Sequence, residues 1–397
     1  MNHERPINTL LRIAIVTSIH PDFDKRVWRH ATMVSGLGHQ VELICPWKVT
    51  EGDRCGNITF HPFSPRQSRV DEVLRLPWRL GGKLLSMLPA LDLVHFHEPD
   101  LLPWMVLLSK PCVYDVHENY PLDILERESF RLPYAAKKVL SRCAHWAQFI
   151  AARKIKNVVL VAPSQHKDFA SPRLNIIEIR NYATRELLKS SVNNYGQRAP
   201  AVIFTGSQYI NNGTHLFLEI AARMQAVRPD VTFYMVDWLW SSGSARAEVL
   251  GLIAKRKLTN LVILPPIPAP ELMKYLNLAT IGVSLNLRTQ MQIDLIPTKL
   301  FEYMAASLPM VVSDLPYAEQ IIKDTNAGLL AKPEDPETFV AAILRLVNDT
   351  ALAQRLGENG RQAFLDRYSW ESQAERLDQF YQGIVARSVL RSMPNHG

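Results

Sequence analysis

The stretch at residues 12–45, RIAIVTSIHPDFDKRVWRHATMVSGLGHQVELIC, reads as one β-α-β unit. Arg12 to Thr17 is a short apolar run around Ile13, Ile15 and Val16, as in a buried strand. Residues 18–23 form a loop. Asp24 can cap a helix whose apolar face carries Val27, Ala31 and Val34, and Gly36 and Gly38 end it. Gln40 to Cys45 returns as a strand. Working outward, strand-like runs recur at 91–97, 113–116 and 158–162, then at 201–204, 231–236, 262–264, 281–285, 310–313 and 328–331. Helical stretches alternate with them, so mostly parallel sheets are expected. The polar, turn-rich run 190–200 reads as a linker. The expected class is α/β, with one Rossmann-like domain over 1–190, a second over 198–367, and an amphipathic helix over 368–390 packing back on the first.

The bulk numbers agree. A chain of 397 residues favours two domains, and 47% apolar with 21% charged residues is ordinary for a globular protein. The four cysteines lack Cys-x-x-Cys spacing, against a zinc or redox motif. The start shows no signal-peptide core, and no run of about 18 apolar residues suggests a membrane span. A cytoplasmic protein is expected. The net charge of +7 suits anionic partners, but no nucleic-acid motif accompanies it, and no nucleic-acid partner is expected. Residues 17–24 lack Gly-x-Gly-x-x-Gly, against a dinucleotide oxidoreductase.

Ligands of open parallel sheets bind beyond the carboxyl ends of strands. His97, Glu98, Asp115, His117 and Glu118 fall at such ends, as do Gly206 and the loop 286–297. A neutral imidazole at His117 can orient hydroxyls or diphosphates; the alternative is a structural histidine bonded to backbone. His95 and His97 offer two metal ligands with no third in view, so no metal is expected. Lys25 and Arg26 lie in the first turn of a helix, where cations oppose the dipole unless an anion docks there; simple solvent exposure is the alternative. Lys299 stands at the start of another helix, with Glu302 one turn on. Together they read as a phosphate site with a ribose-binding carboxylate, and Asp294 in the preceding loop can hold sugar hydroxyls. The alternative is a surface Lys299–Glu302 pair worth only a few tenths of a kcal/mol.

This segment resembles the donor-site signature of retaining glycosyltransferase family 4. It reads Asp294-x7-Glu302-Tyr-Met-Ala-Ala-Ser307-Leu-Pro309-Met-Val-Val-Ser313. The resemblance extends through His20-Pro…Asp24-x-Arg26, Gly38-His39, His95-x-His97-Glu98-Pro-Asp100, Tyr114-Asp115-Val-His117-Glu118, Ala162-Pro-Ser164, Asn181-Tyr and Tyr368-Ser-Trp370. It implies the GT-B fold, two domains facing across a cleft. It implies transfer from a nucleoside-diphosphate sugar of UDP or GDP type, with retention and without metal or further cofactor. Glu302 would bind the ribose. Asp294 would hold the sugar, with the Leu295 and Ile296 amides nearby, and His117 would sit at the reacting centre.

The chain departs from the pattern where Gly-Arg…Lys-Gly usually clamps the diphosphate. Here the stretch is Gly206-Ser207-Gln-Tyr-Ile-Asn-Asn212-Gly213, without either cation. Lys299, Arg288 or Arg26 are the candidate substitutes. Asp294 replaces Glu and is one methylene shorter, and Ser307 replaces Gly. The acceptor class is a glycan, a lipid-linked molecule or a small molecule. Two basic amphipathic stretches, 69–91 and 134–156, are compatible with peripheral attachment to an anionic membrane on its inner face; two core-facing helices are the alternative. A nucleotide-sugar epimerase and a catalytically weak scaffold are the competing functions.

Overall fold

The computed structural model describes residues 9–20, 25–63, 76–117, 119–126, 132–191, 195–237, 243–267 and 271–392. Two compact units result: residues 1–181 with 373–397, and residues 182–372. The expected cap Asp24 and the carboxylate Glu118 lie outside the described residues.

Unit 1 contains β1 (Arg12–Val16), β2 (Gln40–Cys45), β3 (Arg54–Cys55), β4 (Ile58–Pro62), β5 (Leu93–Phe96), β6 (Cys112–Val116), β7 (Asn157–Leu160) and β8 (Asn175–Glu178). Their spatial order is β3-β4-β2-β1-β5-β6-β7-β8. Only the β3–β4 pair is antiparallel. Every residue of β5, β6 and β7 is buried, so both faces of these strands are covered, which is why they read as mostly apolar runs, broken only by His95, Asp115 and Asn157. The longer helices are α1 (Lys25–Gly36), α2 (Leu76–Met87), α3 (Tyr120–Glu126) and α4 (Tyr134–Ile155). The strand order reverses between β1 and β5, so the loops at 17–20 and 97–100 flank a topological switch point, where such sheets take ligands.

Unit 2 repeats the scheme. Strands β9 (Ala201–Phe204), β10 (Thr232–Val236), β11 (Leu261–Leu264), β12 (Ile281–Ser284), β13 (Met310–Ser313) and β14 (Gly328–Ala331) lie in the order β11-β10-β9-β12-β13-β14, all parallel. Its longer helices are α5 (Thr214–Val227), α6 (Gly243–Arg256), α7 (Lys299–Ala305), α8 (Pro316–Thr325), α9 (Pro336–Asn348) and α10 (Thr350–Ala363). Asp335 caps α9 by accepting from the Glu337 amide at 3.1 Å, ahead of Pro336. The switch point here lies between β9 and β12, flanked by the Gly206 turn and the loop 285–297.

The chain passes between units at Asn181/Tyr182, which corrects the boundary expected at 190–198. Asn181 is held by Arg26 of unit 1 (2.8 Å), whereas the Tyr182 ring packs on Phe301 and Tyr368 at 4.5 and 5.5 Å between centroids. The polar run beyond is docked on unit 2: the Tyr195 hydroxyl donates to the Thr280 carbonyl at 2.6 Å, and Arg361 donates to Ser191. On the return, Trp370 is buried in unit 2, its amide donating to the Ala183 carbonyl at 2.8 Å. The helix α11 (Ala374–Ser392) then joins unit 1, six residues later than expected.

Candidate active site

In unit 2, β9 runs into Thr205 and Gly206. Gly206 has φ 95°, and a Cβ there would lie 3.5 Å from Lys299 Cε, so the Lys299 side chain crosses directly over this turn. Lys299 is 8% exposed. Its Nζ has no hydrogen-bond partner and stands 4.5 Å from the Phe204 ring centroid. Burial pushes this ammonium down to about 8, against the opposing pull of Glu302. The surface-pair alternative is thereby removed: among the described residues Lys299 forms no ion pair, and Glu302 is half-buried one turn on. A buried, unpartnered cation over a glycine turn has the chemistry to receive an anion.

The frame beneath is specific. Tyr303 reaches through to β9 and β12, its hydroxyl accepting from the Thr205 amide (3.2 Å) and donating to the Val283 carbonyl (3.1 Å). Its ring lies where a Cβ on Gly282 would be, at 2.5 Å. Gly213, at φ 89°, faces the Leu285 carbonyl at 2.2 Å from such a Cβ, so no other residue fits that approach. Asn212 ties the two loops together: its amide donates to the Ser207 carbonyl (2.9 Å) and hydroxyl (3.0 Å), and its oxygen accepts from Gln292 (3.1 Å). Gln208, also buried, donates to the Gly206 and Val236 carbonyls. Asn212, Gln208 and Gln292 were not singled out from sequence, because their partners come together only in the fold.

The other candidates of unit 2 are less concentrated. Asp294 ends a four-residue helix, 3.5 Å from the Gln290 amide nitrogen. The Leu295 amide donates to the Gln292 carbonyl at 3.3 Å, and Ile296 packs against the core. Arg288 is half-exposed and paired with Asp314 at 3.2 Å. Of the three candidate clamp cations, only Lys299 is unpaired.

Unit 1 presents a rim of histidines at the ends of β1, β5 and β6. Asp115 is its hub. Arg26 donates to both carboxylate oxygens (2.8 and 2.9 Å), and to the Ile179 carbonyl and Asn181 side chain. Buried at 5% exposure and bonded on every side, Arg26 is a structural cation rather than a phosphate ligand or a solvent-facing residue, a correction to both expectations. The i,i+4 neighbour His30 brings Nδ1 within 3.2 Å of Asp115, and His95 Nε2 and His97 Nδ1 lie at 3.3 and 3.5 Å. Burial pushes the Asp115 carboxyl upward, but Arg26 and the His30 and His95 bonds outweigh it and hold it well below the usual range. Burial pushes His30 down to about 3 and His97 well below its ordinary value. The Tyr381 hydroxyl reaches His95 Nδ1 at 2.7 Å, leaving His95 Nε2–H to face Asp115.

The ligand atoms of His30, His95, His97 and Asp115 lie within 4.8 Å of one another, so the fold does bring further groups of ligating type beside His95 and His97, which the sequence did not reveal. Charge argues against their use: a dication beside Arg26 would share one carboxylate with it and leave a large uncompensated buried charge.

His117 is placed beside this hub, Nδ1 3.9 Å from Asp115. Its Nε2 meets His20 Nε2 at 2.9 Å, and His20 Nε2 is 3.4 Å from Glu98 Oε1. Glu98 is buried and accepts from Thr17 Oγ1 (2.5 Å) and the Ser18 amide (2.9 Å). Burial raises its carboxyl to about 7, partly offset by His20 and these donors. The carboxylate favours the shared proton on His20, leaving His117 Nε2 as acceptor. The His20 partner was overlooked from sequence; its signal was the parallel register that sets the ends of β1, β5 and β6 side by side.

Comparison with known proteins bears chiefly on unit 2. Residues 189–363 match the family Glycosyl transferases group 1. The group 1 region includes the Gly206 turn, Asp294, Lys299 and Glu302; the histidine rim lies outside it. Alpha-D-kanosaminyltransferase of Streptomyces kanamyceticus is 22% identical over 388 residues, covering 88% of this chain and 96% of that one. Two solved structures share the fold throughout. A sucrose-phosphate synthase from Thermosynechococcus elongatus has a TM-score of 0.74 at 17% identity, covering 95% of this chain and 100% of that one. The HepE protein of Anabaena, in complex with UDP and glucose, has a TM-score of 0.69 at 13% identity, covering 94% of this chain and 100% of that one. The architecture is GT-B: two α/β units, each with its own parallel sheet. No helix among the described residues is long and apolar enough to cross a membrane.

Proposed function

We propose that this protein is a retaining glycosyltransferase of family 4, moving a sugar from a nucleoside-diphosphate donor to an acceptor hydroxyl without a metal. The observation that carries this reading is Lys299, a desolvated ammonium without a partner, laid over the Gly206 turn at the switch point of a group 1 domain. It stands in for the absent Arg/Lys clamp. As the bond from the sugar carbon to the diphosphate breaks, negative charge grows on the leaving oxygen, and a fixed cation in a dry site stabilises it. The acceptor oxygen forms its bond on the same face, and its proton passes to the departing phosphate. Glu302 accepts the ribose hydroxyls, Asp294 the sugar hydroxyls, and His117 orients a hydroxyl at the reacting centre, with His20 and Glu98 fixing its tautomer. UDP, the ligand in the HepE complex, is the first nucleotide to try.

Calorimetric titration of the wild type and Glu302→Ala with UDP and GDP, with NAD as control, tests the donor site. Binding of one nucleoside diphosphate that vanishes in the variant is expected. No binding of either would overturn it and favour a scaffold. Turnover of donor without acceptor would favour an epimerase.

Peripheral membrane association has its own support in α4. This helix carries five cations and no carboxylate, and exposes Val139, Trp146 and Ile150 on one stripe. The first amphipathic stretch gives less: 69–75 lies outside the described residues, and Leu80, Leu84 and Leu88 face the core. Co-sedimentation with anionic vesicles at low salt, lost in Trp146→Ser/Ile150→Ser, is the expected result. A lipid-linked acceptor would give such attachment a purpose.

A further inference from the structure

A second concavity lies at the opposite end of the unit 1 sheet from the histidine rim, at the amino ends of β6, β7 and β8, with a volume of about 280 Å³. Its wall includes Lys110, Lys154, Lys156, Arg173 and Arg387, and no carboxylate. Among the described residues none of the five forms an ion pair. They arrive from four separate places: the turn before β6, the end of α4, the turn before β8, and α11. Helix electrostatics accounts for Lys154, in the last turn of α4, where a cation complements the dipole. It does not account for Lys110, Arg173 or Arg387. Lys156 holds φ 73°, a left-handed conformation usually left to glycine or asparagine. Its backbone is pinned there, the amide donating to the Ala152 carbonyl and the carbonyl accepting from the Asn175 amide, both at 2.7 Å. A lysine at such a position beside four other cations points to a use for its charge.

We propose that this pocket binds a phosphate-bearing anion, at a site distinct from the nucleotide site of unit 2. Like charges around one concavity repel one another, and a multiply charged phosphate relieves that repulsion while accepting hydrogen bonds from lysine and arginine together. The shared chemistry is the phosphate; a soluble phosphorylated molecule and a lipid headgroup at a bilayer surface are its two sources.

The test uses the full chain carrying Lys299→Ala, which silences the anion site of unit 2. Inorganic pyrophosphate is titrated calorimetrically, and flotation is measured with phosphatidylglycerol vesicles against phosphatidylcholine vesicles. Saturable pyrophosphate binding, weakened at least about tenfold by adding Arg173→Glu and Arg387→Glu, supports a soluble ligand. Flotation with phosphatidylglycerol alone, lost with the same two changes, supports a headgroup. Binding in neither arm, or binding indifferent to the charge reversals, overturns the proposal. Lys156→Gly guards against misfolding as an explanation: it removes the charge while relaxing the backbone, so affinity is expected to fall as thermal stability rises. The outcome does not depend on whether unit 2 binds UDP.

Discussion

Lys299 holds its proton only up to about pH 8, whereas in an unfolded chain it would do so to about 10.5. Two opposite pH dependences follow from this one side chain. Nucleoside-diphosphate affinity should fall as pH rises through about 8, because the cation is being lost. Stability should rise over the same window, because the unfolded chain still binds a proton that the folded one has released. Calorimetric titrations and thermal melts at pH 7, 8 and 9 separate the two; affinity and stability falling together would remove Lys299 from the phosphate site. Lys299→Met should bind nucleotide at least about tenfold more weakly and melt higher, since an unpaired buried amine is replaced by an apolar chain of similar length. The histidine rim has the same sign in a lower window. His30 and His97 stay neutral when buried, while the unfolded chain protonates them near 6.5. Their contribution is complete above pH 6.5 and lost as pH falls below it, for His30 down to about 3. Glu98 works against them: the folded state keeps its proton up to about 7, so its contribution is complete below about 4.5 and lost by neutrality. Two histidines outweigh one carboxyl, and melting at pH 5.5 should occur below that at pH 7.5. His117→Ala should lower turnover and leave donor binding nearly intact; full turnover with the true acceptor would sink its assigned role.

At the level of the element, α7 is only seven residues long, and tertiary anchoring holds it. The anchor is Tyr303, seated over Gly282. Gly282→Ala drives a methyl to within 2.5 Å of the ring and should cost about 1–3 kcal/mol in urea unfolding. If donor affinity in that variant were unchanged, the Tyr303 seat would not be what positions Lys299. Most strands could be read from sequence because central parallel strands are mostly apolar on both faces. The strands β3, β4 and β8 could not. β3 is two exposed residues, β4 mixes polar Thr59 and His61 into its run, and β8 is an edge strand, half-buried along its length and ending in Asn175 and Glu178. The segment 294–302 could be singled out because Asp294, Lys299 and Glu302 are close in sequence. Arg26 was misread because its partner is 89 residues away, and nothing local distinguishes a buried guanidinium from an exposed one.

At the level of the molecule, unit 1 is built from two separated pieces of chain. The helix α11 supplies Leu377, Tyr381 and Ile384 to its buried interior, with Tyr381 bonded to His95 and Asp378 to His39 at 2.9 Å. Deleting residues 373–397 should leave the hub histidines open to solvent and unit 1 sensitive to protease, while unit 2, a continuous stretch, keeps its nucleotide affinity. Equal protease resistance of the deleted and full chains would contradict this. The same arrangement bears on the order of events at the ribosome. His95 and Tyr381 are 286 residues apart, an interval that translation at about 5–20 residues per second takes roughly 15–60 s to cross. Within that interval all of unit 2 is made and can fold, while the older half of the protein waits incomplete, its apolar seat for α11 uncovered. The nascent chain therefore has a predictable period of vulnerability to chaperone capture or self-association, which closes only when α11 leaves the exit tunnel.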